Sequence, residues 1–222
     1  MIVTLIAHTP EPEKVIAGAA KLCYSSSDIE SLMNGLTTEK VEVFIKKLTD
    51  LGHQSPLEHC TFTFGIEGVS RALSHQLVRH RIASYSQKSQ RYVKEGGFKY
   101  ITPPTIKNND LLHYEYINIM DRLEWFYDYA VSEGIPAEDA RFVLPNACET
   151  KLIVTMNVRS LLHFFEERCC NRAQWEIRQL ADMMLEICKE IAPNIFAKAG
   201  ASCVRGKCKE GKMCCGIPKG ER

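Results

Sequence analysis

The sequence predicts an α+β fold, a single domain in which a twisted, mostly antiparallel sheet is flanked by helices. Three observations support this. Strand-like and helix-like segments succeed one another irregularly and not as a repeating βαβ unit. Neither a G-x-G-x-x-G run nor a P-loop occurs, so the glycine-rich nucleotide cradles of parallel-sheet folds are absent from the sequence. The chain has 222 residues, 45% of them hydrophobic and 25% charged, which is enough for one substantial core.

The elements follow in order. Residues 2–7 read as a strand, and Glu11 to Leu22 as a helix with Val15, Ile16, Ala19 and Leu22 at helical spacing. A serine-rich loop comes next. Thr38 is a candidate cap for a helix running to about Leu51, whose Val41, Phe44, Ile45, Leu48 and Leu51 form one stripe and which Gly52 ends. Cys60, Phe62, Phe64 and Ile66 alternate with Thr61, Thr63 and Gly65, the pattern of a strand with one buried face. Ser70 to Val78 favours helix and delivers Arg79, His80 and Arg81 at its end. The longest helix, Asp110 to Glu133, starts at Asn109 or Asp110, stops at Gly134 and carries Tyr116, Met120, Leu123, Tyr127 and Ala130 for packing. Leu152 to Met156 reads as a buried strand. Helices follow at about 158–170 and 174–192, the second with Ile177, Leu180, Met184, Ile187 and Ile191 on one side.

Charge and cysteine usage narrow the function. The formal net charge is +1, which argues against a general basic surface for nucleic acid. No apolar run approaches bilayer length, and the reading is a cytoplasmic protein without membrane contact. The ten cysteines are expected as reduced thiols, with Cys23, Cys60 and Cys188 as small core hydrophobes. Cys203, Cys208, Cys214 and Cys215 cluster in a tail, read as 201–222 beyond a domain at 1–200. Their spacing lacks the paired C-x2-C knuckles of most structural zinc sites, so no metal is assigned.

The densest chemistry lies at 79–91. Arg79, His80 and Arg81 are followed seven residues later by Ser89, then Gln90 and Arg91. Rigid guanidinium forks and short hydroxyl donors suit oxygen anions, phosphate above all. Ser89 has Lys88 and Gln90 beside it and no base, so ligand binding is favoured over nucleophilic attack. Cys148 has no neighbouring histidine to activate it. Arg159 and His163 lie one helical turn apart and can address one ligand, while Arg168 falls at the boundary of its helix's apolar face.

Arg-His-Arg, seven residues, then Ser resembles the signature of the flavin-dependent thymidylate synthases. Further blocks agree in order: Gly-His-Gln-Ser-Pro-Leu-Glu-His at 52–59, Ala-Arg-Phe-Val-Leu-Pro at 140–145, Asn-Val-Arg-Ser-Leu at 157–161, and Arg168 followed by Ala-Gln-Trp-Glu-Ile-Arg at 173–178. The resemblance implies reductive methylation of deoxyuridine monophosphate to thymidylate. Methylenetetrahydrofolate would donate the carbon, and FAD recharged by NADPH the hydride. It implies a homotetramer with a non-Rossmann FAD site at subunit interfaces. By residue match, the flavin candidates are His53, Ser55, Arg79, His80, Arg81, Gln87, Asn157, Arg159 and His163. The nucleotide candidates are Gln76, Arg79, Gln87, Ser89, Gln90, Arg91, Arg141 and Arg168, with Arg168 catalytic. This chain departs from the pattern at Ser86-Gln87, where Asn-Glu is usual, at His163, where asparagine is usual, and at Arg172, where a histidine is often found. Two other readings use the same residues: a single-stranded nucleic-acid module with Tyr85 and Tyr92 stacking on bases, and a histidine phosphatase built on Arg79-His80.

Overall fold

The computed structural model describes residues 1–217 and 219. The expected tail at 201–222 therefore lies partly outside the described residues, at 218 and 220–222. Strand β1 (Ile2–His8) leads to helix α1 (Pro12–Leu22), which opens on a proline where no intrahelical N–H is needed. Helix α2 (Ile29–Asn34) occupies part of the stretch expected to be loop. Asp28 starts it, its Oδ1 accepting from the Ser31 N–H at 2.9 Å. Helix α3 (Thr38–Asp50) is capped by Thr37 and not by Thr38, the Thr37 hydroxyl accepting from the Lys40 N–H. Adjacent threonines carry the same capping chemistry, so composition alone could not choose between them.

Strand β2 (Thr61–Ser70) buries Phe62, Phe64 and Ile66 as the alternation requires. Its last residue caps helix α4 (Arg71–Leu77), with Ser70 Oγ accepting from the Leu73 N–H at 3.0 Å. Strand β3 (Ala83–Gln87) lies within the motif segment and has no buried residue, which is why apolar periodicity does not reveal it. Helix α5 (Pro104–Lys107) precedes the long α6 (Asp110–Ser132), capped by Asn109. Helix α7 (Ala137–Ala140) and strand β4 (Glu149–Asn157) follow, then α8 (Val158–Arg168), α9 (Trp175–Ile191) and α10 (Pro193–Phe196). The four strands form one antiparallel sheet in the order β1-β2-β4-β3.

The chain resolves into two compact units that interleave in sequence, and β2, β3 and β4 each run through both. One, comprising residues 1–2, 66–79 and 85–153, is here the α6 unit. Phe98, Met120 and Cys148 form a core cluster in it, with Tyr100, Tyr116 and Leu123 packed against them. Helix α6 contributes Tyr127, fully buried, whose hydroxyl accepts from the Glu95 N–H at 3.0 Å. The other, comprising residues 3–65, 80–84 and 154–222, is the α8 unit. There α1 packs on α3, α8 on α9, and α10 on α3 and α9. Phe196 meets Phe62 and Phe165 in edge contacts at ring distances of 5.9 and 6.0 Å. Cys60 and Cys188 are buried as expected, but Cys23 is exposed just past the end of α1. On α8 the buried stripe is Val158, Leu161, Phe164 and Phe165, while Leu162 is only half-buried. Among the described residues no helix is long and apolar enough to cross a membrane.

Candidate active site

The α8 unit holds a cavity of about 600 Å3, within the usual range for small-molecule sites. Its polar lining comes from His53, Gln54 and Glu58 after α3, His80 and Arg81 in the motif, Asn157, Arg159, His163 and Glu166 at and along α8, and Lys198, Arg205 and Lys209 after α10. Leu48, Leu57, Leu162 and Ile195 add an apolar wall. Local structure explains the aim of each group. Gly52, at φ 71, adopts the left-handed backbone that turns the chain out of α3 into His53. Asn157 Oδ1 caps α8 by accepting from the Ser160 N–H at 2.8 Å, leaving the amide nitrogen as a donor. Arg159 donates through Nε to Gln54 Oε1 at 3.1 Å and pairs through Nη1 with Glu58, so its fork is held from two sides.

His80 is the buried pivot of this unit. Its Nε2 accepts from Arg168 Nε at 2.8 Å, and its ring stands edge-on to Phe164 at 5.0 Å and to His163 at 6.1 Å. Burial, and then the Arg168 charge, push its pKa down to about 4, against a smaller opposing effect of Glu167. The imidazole is therefore neutral at pH 7 with Nε2 as acceptor, and it fixes the guanidinium of a half-buried Arg168 at the last turn of α8. Glu167 lies 3.9 Å from His80 Nε2 and 3.4 Å from His163 Nε2. Among the described residues His80, His163 and Glu167 alone have the mutual spacing of metal ligands. The His80 lone pair, however, is already committed to Arg168. Beside them Ile82 sits at φ 63, a conformation that a β-branched residue rarely adopts.

The α6 unit carries most of the nucleotide candidates. Gln76, Ser89, Gln90 and Arg141 are half-buried, while Arg79 and Arg91 are exposed. Arg91 donates through Nε and Nη2 to Glu138 Oε2 at 3.1 and 2.9 Å, and its N–H donates to Ser89 Oγ at 3.2 Å. Arg141 Nε reaches the Glu138 carbonyl at 3.1 Å, so the two arginines converge on one residue. Gln90 Nε2 donates to Cys148 Sγ at 3.6 Å, and Gln87 Nε2 to Thr150 Oγ1 at 3.2 Å. Burial pushes the Cys148 thiol up to about 11, so it is a neutral core thiol.

Of the flavin candidates, His53, His80, Arg81, Asn157, Arg159 and His163 thus meet at one cavity. Ser55 is exposed and outside its lining, and Arg79 and Gln87 belong to the α6 unit. Arg168 does not line the cavity but touches it through His80. Sequence reasoning missed Gln54, Glu58, Glu167, Lys198, Arg205 and Lys209. Glu58 stands inside the 52–59 segment and Glu167 lies four residues after His163, so spacing could have found both. Nothing in the sequence announces the last three.

Cationic forks, imidazoles and amides around an apolar-walled cavity, with no glycine-rich loop, define a class of site whose side-chain donors suit a large anionic ligand. Comparison narrows the class. Residues 4–194 match the family model described as thymidylate synthase complementing protein, and the chain belongs to that family. It is 54% identical to the flavin-dependent thymidylate synthase of Geobacter sulfurreducens, over 97% of this chain and 94% of that one. The protein of the same description from Clostridium tetani is 52% identical, over 96% and 92% of the two chains, and that from Pyrococcus horikoshii 43%, over 95% and 90%.

Proposed function

We infer that this chain methylates deoxyuridine monophosphate to thymidylate with FAD as its redox cofactor. The observation that carries this reading is the convergence of His53, Arg81, Asn157, Arg159 and His163 on one cavity in a member of this family. The lining fits the cofactor: cations suit its diphosphate, amide and imidazole donors its pyrimidine edge, and the leucine wall its ring face. These residues would hold FAD, which once reduced by NADPH would supply hydride for a methyl group whose carbon comes from methylenetetrahydrofolate. The protein's own residues hold and polarise. Arg91 and Arg141, braced on Glu138, with Ser89 and Gln90, bind the nucleotide phosphate. Arg168, held by His80, sets a fixed positive charge against the uracil edge and favours the ionised ring, which is the more nucleophilic at C5. Cys148 stays protonated and takes no part in attack.

The same reading extends to a homotetramer with flavin at subunit junctions. Its support is the exposed apolar surface of α6, where Leu112, Ile119, Trp125 and Phe126 face outward. Light scattering on the purified protein is expected to give four copies, and an active monomer would overturn this part. The main test is optical. Purified protein should be yellow, its flavin bands should bleach under NADPH, and thymidylate should form when deoxyuridine monophosphate and methylenetetrahydrofolate are supplied. Colourless protein that cannot be loaded with FAD sinks the assignment.

A further inference from the structure

The family match ends at residue 194, yet Lys198, Arg205 and Lys209 also line the cavity of the α8 unit. Arg205 stands in the 3-10 turn Ser202–Arg205 and is fixed twice. Its Nη1 donates to the Lys198 carbonyl at 3.0 Å and its Nη2 to Glu166 Oε2 at 2.6 Å. Lys209 Nζ takes the other oxygen, Glu166 Oε1. Burial alone would raise the Glu166 pKa, but the hydrogen bond from Lys209 and the charges of Arg205, Lys209 and His163 hold it below its ordinary value. One ionised carboxylate therefore faces two full cations.

That excess is the informative point. A clasp that merely tied down the tail would be complete with one cation on Glu166. Among the described residues of the lining, Arg81, Arg159, Lys198, Arg205 and Lys209 stand against only Glu58 and Glu166. Lys198 reaches Asp50 at 3.7 Å in an exposed pair, a kind that holds a side chain weakly. Lys209 is 71% exposed and spends one of an ammonium's three donors on Glu166. Surplus positive charge on a concave wall concentrates anions there.

We propose that Lys198, Arg205 and Lys209 form an anion subsite for the charged arm of a co-substrate entering the flavin cavity. The matching chemistry is a cluster of oxygen anions, either the glutamate carboxylates of a folate or the 2′-phosphate of NADPH. The proposal rests on the activity inferred above.

The test is calorimetric binding to flavin-loaded protein, comparing tetrahydrofolate carrying one or several linked glutamates and, separately, NADPH with NADH. Wild type is expected to prefer the more anionic member of one pair by about tenfold, equivalent to about 1.4 kcal/mol. The pair that shows the preference identifies the arm. Lys209→Ala should erase most of it while the thermal midpoint stays near wild type, and Lys198→Ala should reduce it in the same pair. High salt should compress it in wild type. Equal affinity within both pairs, or a preference surviving both substitutions, overturns the subsite. Protein that takes up no flavin overturns the parent activity as well, and its missing colour tells that failure from the first.

Discussion

The two units anchor their charged residues in opposite ways. In the α8 unit, Asn157, Arg159, His163 and Arg168 all hang from one helix, and the buried His80 locks the last of them. In the α6 unit, Ser89, Gln90 and Arg91 follow the end of β3 in irregular chain, and Arg91 and Arg141 are held by a shared, half-exposed Glu138. A helix and a buried imidazole give a fixed charge, whereas an exposed ion pair gives one that re-pairs at little cost. The first arrangement suits a group that must stabilise developing charge. The second suits a phosphate that must arrive and leave.

Substitutions can break or sharpen this contrast. The largest effect is expected from Arg168→Ala, which should lower thymidylate turnover by about 100-fold or more while flavin stays bound. Absorbance of the purified variant together with product analysis checks it, and near-native turnover would refute the role. His80→Ala removes the acceptor that orients Arg168 and should cost roughly tenfold in kcat with little change in KM for the nucleotide. Titration gives the same site a pH signature. The folded pKa of His80, about 4, lies below its ordinary value of 6.5, so the unfolded chain takes up the proton first. Stability should fall as pH drops from about 6.5 toward 4, and denaturant midpoints at pH 7 and 5 should show a smaller loss in His80→Gln. Glu138→Gln, in the other unit, should raise the nucleotide KM several-fold and leave kcat nearly unchanged, because Arg91 keeps its charge and loses its carboxylate brace while Arg141 stays on the residue 138 main-chain carbonyl. The smallest effect separates two neighbours: Thr37→Ala should cost about 0.5–1 kcal/mol in chemical denaturation, and Thr38→Ala much less.

The sequence made the long elements legible because their buried stripes are periodic: Phe62, Phe64 and Ile66 for β2, and Ile177, Leu180 and Met184 for α9. Strand β3 stayed hidden because none of its residues is buried, and α2 because six residues make less than two turns of pattern. Five family blocks placed most of the cavity's polar residues, since a motif marks local chemistry. They could not show that His80 holds Arg168, 88 positions away. Nor could they bring Lys198, Arg205 and Lys209 to the same wall, because long-range packing leaves no short-range trace.

Ile82 shows what that packing sustains. Its left-handed backbone costs a β-branched residue about 1–3 kcal/mol. Glycine there would be free of that cost but would enlarge the freedom of the unfolded chain by a comparable amount. The melting temperature of Ile82→Gly should therefore barely move, while its grip on flavin, read by equilibrium dialysis, should slacken. Here the chain gives up conformational ease at the cavity wall, directly after the arginine that lines it.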